Sequence, residues 1–294
     1  MRPSSLLYCP VPWLCGVDVR GADAYDFLRR QLTNDPPVED GRFTLAAWND
    51  AKGRVRALFR IVRGADGPLL VAERDGLDAV LAKLRIFVLR SDVAFEPNDA
   101  LAVAAVIGDA APLLESRGIA LAAEPGAACR ADGIVWLRQS EALLHVVGEA
   151  AALDRLGAEL PRGSAEHAAQ AEIRAGLPSL GSALAERYVP QMLNLDRLGA
   201  VAFDKGCYPG QEVVARLHHL GSVKRRLTRF TAAGGEAPAP GTPVVTADGR
   251  EVGEVVRAAA ADRTLELLAV VQLDAASAPL FVAGAANVPL TPAA

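Results

Sequence analysis

Lys205-Gly206-Cys207-Tyr208-Pro209-Gly210-Gln211-Glu212 puts a thiol just ahead of a helix start. Pro209 suits a first helical turn, and Val213, Val214, Leu217 and Leu220 then recur on one side, so a helix is predicted over 210–220. The free N–H groups and dipole of that helix start favour a thiolate at Cys207, and Lys205 adds positive charge in sequence. A reactive, partly exposed thiol is one reading; a tight turn around an inert buried sulfur is the other. Gln211 and Glu212 in the first turn either cap exposed N–H groups or offer acceptors to a heterocycle such as a pterin. His218 and His219 are adjacent and cannot both face Cys207 from one helix, so no metal site is read here.

Upstream, Leu177 to Pro209 reads as a long irregular segment, and its Tyr188, Met192, Leu193 and Leu195 argue that it is ordered and lines something. Before it, Ala165 to Ala175 reads as a helix stopped at Gly176. The amino-terminal part begins with a helix over Ala22 to Leu32, halted by Pro36-Pro37. Strands at Arg42 to Asn49 and Arg54 to Arg63 follow, joined by the hairpin turn Asp50-Ala51-Lys52-Gly53, then a strand at Pro68 to Ala72 and a helix at Asp75 to Leu84. Ile86 to Phe95 and Leu101 to Ile107 read as further strands, and a similar strand and helix unit runs to Leu160. This order favours an α+β fold over a strictly alternating parallel sheet.

Downstream of Arg226, short β-branched segments separated by Gly and Pro turns predict a small β-barrel. The expected division is therefore residues 1–226, an α+β region of two lobes, and 227–294, the barrel.

Of 294 residues, 51% are hydrophobic and 22% charged, enough to bury a sizeable core. The net charge of −4, from 31 basic and 35 acidic side chains, gives no general pull toward phosphates, so stable nucleic-acid binding is not expected. Two local basic clusters, Lys52-Gly53-Arg54-Val55-Arg56 and Lys224-Arg225-Arg226, could face an anion or be solvated. Four cysteines without Cys-x-x-Cys spacing read as reduced thiols. No export signal and no membrane span is read, and a cytoplasmic location is expected.

Lys205 to Glu212 resembles the signature of YgfZ proteins, in the glycine-cleavage T protein (aminomethyltransferase-like) superfamily. The likeness continues through Val214-Ala215-Arg216, Gly221 and Lys224-Arg225, and upstream through Pro190 to Asp196. Phe27-Leu28, Gln31-Leu32-Thr33-Asn34-Asp35, Trp48 and Lys52-Gly53-Arg54 are similar to the family's amino-terminal pattern. The resemblance implies ferredoxin-like α+β lobes around a central folate channel, a carboxy-terminal β-barrel, and tetrahydrofolate or a derivative as ligand. It also implies a role in assembling or maintaining iron–sulfur clusters, with client or assembly proteins as partners, including enzymes that modify tRNA. Cys207 and Lys205 carry over as the chemical candidates, and Tyr208, Gly210, Gln211, Glu212 and Arg216 as cofactor-binding candidates, joined by Arg174.

Two departures bear on the chemistry. The transferase relatives carry an acidic pair after the first hairpin's glycine, where Gly53 is here followed by Arg54-Val55-Arg56-Ala57-Leu58. Arg174 stands where those relatives are usually acidic, and Glu172, two residues earlier, is expected to point elsewhere on the helix. Both weigh against aminomethyl transfer, which remains the alternative activity; a folate-independent scaffold is a third reading.

Overall fold

Up to residue 158 the chain runs twice through one wiring of strand, helix, three strands and helix. The computed structural model describes residues 6–276, 278–284 and 289–293. After the short β1 (Leu7–Pro10), the first pass comprises β2 (Leu14–Arg20), α1 (Ala24–Gln31), β3 (Phe43–Asn49), β4 (Val55–Arg63), β5 (Pro68–Glu73) and α2 (Leu77–Arg85), followed by β6 (Ala94–Asn98). The second comprises β7 (Leu101–Ile107), α3 (Ala111–Ser116), β8 (Ala128–Ala131), β9 (Ile134–Ser140), β10 (Leu143–Glu149) and α4 (Ala150–Ala158). The first sheet has the order β3-β4-β5-β2-β6 and the second β8-β9-β10-β7-β1. Equivalent strands thus hold equivalent places, except that the edge position beside β7 is filled by β1 from the start of the chain.

Each sheet buries one face beneath its own helices, since a sheet with one apolar face must cover it. Phe27, Leu28, Trp48, Phe59, Leu81 and Leu84 fill the first such layer, and Leu114, Trp136, Leu153 and Leu156 the second. The two remaining faces pack on each other through Leu14, Val62, Val71, Val103, Leu137 and Val147. Helix α5 (Ala165–Arg174) follows, started by a capping box in which Ser164 and His167 satisfy each other's backbone N–H groups.

The irregular segment predicted at Leu177 to Pro209 lies within residues 175–210, with short 3₁₀ turns at Ser182–Leu184 and Pro190–Leu193. Its Leu184, Tyr188, Leu193 and Leu195 are buried against Leu45 and Leu58 of the first sheet and Val256 and Leu268 further on, so the segment is a packed strap. Helix α6 (Gln211–His219) leads into β11 (Arg225–Ala233), β12 (Pro243–Thr246), β13 (Glu251–Ala261), β14 (Thr264–Gln272), β15 (Leu280–Val282) and β16 (Pro289–Pro292). These six strands close into a barrel of order β11-β14-β13-β12-β15-β16.

The fold is α+β with a carboxy-terminal barrel, as the segment order predicts. One expected strand differs: from Ile86 to Phe95 only the end pairs, as the start of β6, while Ile86, Phe87 and Leu89 stand exposed in turns after α2. Val88, Val93 and Phe95 of the same segment nonetheless pack against the layer beneath the helices. Among the described residues no helix is long and apolar enough to cross a membrane.

Candidate functional site

The octapeptide that opens α6 is held from below by two glycines. Gly210, at φ +75°, approaches the β3–β4 hairpin so closely that a Cβ there would lie 2.4 Å from the Gly53 Cα and 2.6 Å from the Asp50 carbonyl oxygen. Only glycine fits that approach and that conformation without strain. The hairpin tip is itself fixed by Asp50, whose Oδ1 accepts the Lys52 and Arg54 N–H groups at 2.8 Å each. Lys205 buries its amine at the end of α1, donating to the Arg29 carbonyl at 2.8 Å and the Leu32 carbonyl at 2.9 Å, with Asp35 Oδ1 at 3.0 Å. A cation at a helix carboxy terminus is favourable by the helix dipole. Burial lowers the Lys205 pKa against the pull of Asp35. The Tyr208 ring is buried, which pushes its hydroxyl up to about 12.

Cys207 is exposed, unlike the other three cysteines. Burial pushes the Cys9 thiol up to about 11 and raises Cys15 and Cys129 as well, so those three are poor nucleophiles. Glu212 and Arg216 are exposed on α6, and Gln211 reaches back to the Lys205 carbonyl at 3.5 Å. His218 stacks on Phe203 with centroids 3.7 Å apart.

A second polar assembly lies sealed where both sheets, α5 and the barrel meet. Glu172 of α5 is fully buried. It accepts from the Trp13 indole at 3.0 Å, pairs with Arg257 of β13, and has His145 Nε2 of β10 at 2.9 Å and an Arg60 nitrogen of β4 at 3.8 Å. Burial alone would raise the Glu172 pKa; Arg257, His145 and Arg60 overcome it and hold the carboxyl down at about 2. Burial lowers the His145 pKa, and the two guanidinium groups lower it further against the attraction of Glu172. The imidazole is accordingly neutral at pH 7 beside one carboxylate and two arginines. Arg60 also donates from Nε to Gln139 Oε1 of β9 at 3.3 Å.

Gln139 belongs to the wall of a cavity of about 500 Å³ between the sheets and the strap. Phe43, Leu45, Leu177 and Leu198 give it apolar surface, while Arg42, Arg197, Asn34, Thr44 and Ser140 give it polar groups. No carboxylate is among its lining residues. That volume lies in the range of small-molecule sites, and two cations without an acid make the cavity electropositive.

Comparison with known proteins places this geometry. Residues 224–294 match the family described as "CAF17, C-terminal beta-barrel domain". The fold superposes on the glycine cleavage system aminomethyltransferase T from Bartonella henselae with a TM-score of 0.74, covering 98% of this chain and 84% of that one at 15% identity. The "tRNA-modifying protein YgfZ" of Cronobacter sakazakii is 31% identical over 265 residues, 87% of this chain and 78% of that protein. Its Klebsiella pneumoniae counterpart is 32% identical over 264 residues with the same coverage. The chain belongs to the YgfZ family.

Part of the YgfZ-like pattern proves to be a set of latches. In the amino-terminal part, Thr33 Oγ1 donates to the Ala200 carbonyl at 2.7 Å and accepts from the Ala47 N–H at 2.8 Å, while the Asn34 amide donates to the Gly199 carbonyl at 2.7 Å. In the strap, the Gln191 amide donates to the Val214 carbonyl of α6 at 2.7 Å, and Asn194 donates to the Leu227 carbonyl at 2.8 Å. Arg226 grips Asp196 through two bonds of 3.1 and 3.0 Å and also reaches Asn194 Oδ1 at 3.0 Å. Thr33, Asn34, Gln191, Asn194 and Asp196 of the pattern are thus spent joining the first sheet, the strap, α6 and the barrel.

None of Lys205, Cys207, Tyr208, Gly210, Gln211, Glu212 and Arg216 lines the 500 Å³ cavity. Arg174, a cofactor-binding candidate from the sequence, instead binds α5 to the barrel: its Nε donates to Glu266 Oε1 of β14 at 2.8 Å and a terminal nitrogen reaches Gln170 at 3.3 Å. Ala175, the next residue, is the one in the cavity wall. Glu172 points away from the Arg174 direction, as expected, and turns into the centre of the molecule. Sequence reading missed Arg42, Gln139 and Arg197 because they come from separate segments with no shared motif.

Proposed function

We propose that this chain is a cytoplasmic, tetrahydrofolate-binding accessory protein that supports assembly or repair of iron–sulfur clusters in client enzymes, tRNA-modifying ones among them. The observation that carries the folate part is the cavity with two arginines and no carboxylate. Folate joins a flat ring system to a glutamate with two carboxylates. Phe43, Leu45, Leu177 and Leu198 would cover the ring, and Arg42 and Arg197 would take the carboxylates as charge-assisted pairs. The fold, shared with an aminomethyltransferase, supports that choice of ligand. The YgfZ relatives, named as tRNA-modifying proteins, support the connection to tRNA enzymes.

The same cavity argues against aminomethyl transfer, because no acid stands in its wall to serve as a proton acceptor. Folate is then held as a ligand of the helper. Cys207, exposed at the mouth of α6, is the thiol this reading turns toward a client, with Lys205, Tyr208, Gly210 and Gln211 forming the frame of its loop and Glu212 and Arg216 flanking it. The test is protection against thermal unfolding by tetrahydrofolate. The reading predicts a midpoint that rises with ligand concentration; no rise at saturating ligand contradicts it.

A further inference from the structure

The basic stretch Lys52 to Arg56 has no part in the cavity, and the fold brings a second basic stretch to it. Neither residues 51–63 nor residues 79–91 contain a carboxylate, in a chain of net charge −4. Glu186 of the strap joins the two: its carboxylate pairs with Arg56 at 2.8 Å and with Lys83 of α2 at 3.0 Å, and its carbonyl accepts from Arg54 at 3.2 Å. Between α2 and the strap lies a groove of about 200 Å³, with Ala79, Val80 and Lys83 on one side and Leu180, Ala185 and Glu186 on the other. Phe87, one turn beyond Lys83, meets the buried Trp48 beneath the groove edge to face, with centroids 6.3 Å apart. Ile86, Phe87 and Leu89 are 69%, 44% and 89% exposed. One exposed apolar side chain is ordinary; three within one turn, beside a groove, form a patch of the kind that marks an interaction site. Around it Lys52, Arg54 and Arg90 are exposed and form no ion pair among the described residues. The acids at the rim are engaged, Glu186 by its two cations and Asp75 by the Ser182 N–H at 2.8 Å and hydroxyl at 2.9 Å.

We propose that this face docks an acidic segment of a partner protein, which seats one aromatic or leucine side chain in the groove and sets carboxylates against Lys52, Arg54 and Arg90. About 200 Å³ falls short of a small-molecule site and suits one large side chain as an anchor. Unpaired cations around an apolar centre call for the opposite charge on the segment that covers them. A nucleobase would need a free ring face to stack on, and Trp48 is fully buried with Arg56 4.9 Å over its ring. The groove shares no lining residue with the 500 Å³ cavity, so the inference goes beyond the folate reading and stands apart from it. The hairpin that carries Lys52 and Arg54 is the one Gly210 closes upon, which brings the docked segment beside the Cys207 loop.

The probe is a short fluorescein-labelled peptide with glutamates and aspartates around a Leu–Phe pair, titrated with the full chain and followed by anisotropy. Saturable binding that weakens as salt rises is expected. Alanine in place of the Leu–Phe pair, or lysine in place of the acids, should lower affinity about tenfold or more. The double variants Ile86→Ser/Leu89→Ser and Lys52→Glu/Arg90→Glu should each lower it about tenfold while the thermal midpoint holds, because all four side chains are exposed. No binding, equal binding of the alanine peptide, or affinity unchanged in both double variants overturns the proposal. Transfer RNA or phosphatidylglycerol vesicles bound in place of the peptide, or self-association in sedimentation that Ile86→Ser/Leu89→Ser abolishes, assigns the face to another occupant and overturns it as well. None of these outcomes bears on tetrahydrofolate binding, which is read separately from thermal protection.

Discussion

The loop from Lys205 to Glu212 and the buried assembly around Glu172 are opposites in almost every respect. The loop is continuous in sequence, lies at the surface and leaves Cys207 and Glu212 exposed. The assembly draws single residues from β4, β10, α5 and β13, and Glu172 and His145 within it are fully buried. The loop owes its shape to backbone contacts at Gly210 and Gly53; the assembly owes its stability to charge balance in a medium that screens poorly. What carries a family pattern and what holds the lobes together are thus largely different residues, and they should fail differently.

The largest contrast is expected from removing one charge in each region. Glu172→Gln leaves Arg60 and Arg257 buried without their carboxylate and should cost about 3–5 kcal/mol in urea unfolding. Glu212→Gln, exposed on α6, should change stability by less than about 0.5 kcal/mol. Similar effects at the two sites would erase the distinction. Gly210→Ala probes the loop's own weak point, since its Cβ would meet the Gly53 Cα and the Asp50 carbonyl oxygen in a left-handed conformation. A loss of about 2–3 kcal/mol is expected, read from the urea midpoint at unchanged slope.

A smaller effect separates the regions by pH. The His145 pKa is lowered in the folded state, so the unfolded chain takes up that proton first as pH falls. The stability due to the neutral imidazole is present above its unfolded pKa of about 6.5 and is lost as pH drops below it, by up to about 1.4 kcal/mol per pH unit. Arg60, Arg257 and Glu172 are the charged groups facing it. Glu73, pushed upward by burial, runs in the opposite sense, so the readout is the difference between the unaltered chain and His145→Gln. The stability of the unaltered chain relative to the variant should fall from pH 7 toward pH 5; a constant difference would mean that His145 is not buried neutral.

Local periodicity made the framework legible. Helices α1, α2, α5 and α6, the β3–β4 hairpin and the first four barrel strands follow from spacing, capping and turn residues that act within a few positions, whereas β15 and β16 are not read from them. The strand expected from Ile86 is replaced by turns over 86–90, from which Val88 still packs on the helix-side layer. The Glu172 assembly was illegible for a different reason: Trp13 and Glu172 are 159 residues apart, and nothing local announces their contact. Position 174 drew attention through family likeness, but residues two apart on a helix face different ways, and it is Glu172 that turns inward. The cavity was hidden likewise, since Arg42, Gln139 and Arg197 meet only once both sheets and the strap are assembled.

Whether this cavity takes a folate through its two arginines is decided by calorimetric titration of tetrahydrofolate into the unaltered chain and the Arg42→Ala/Arg197→Ala double variant. Single-site binding is expected, weakening about tenfold for each arginine removed, as loss of a charge-assisted hydrogen bond requires. No heat with the unaltered chain, or the same affinity in the double variant, would contradict it.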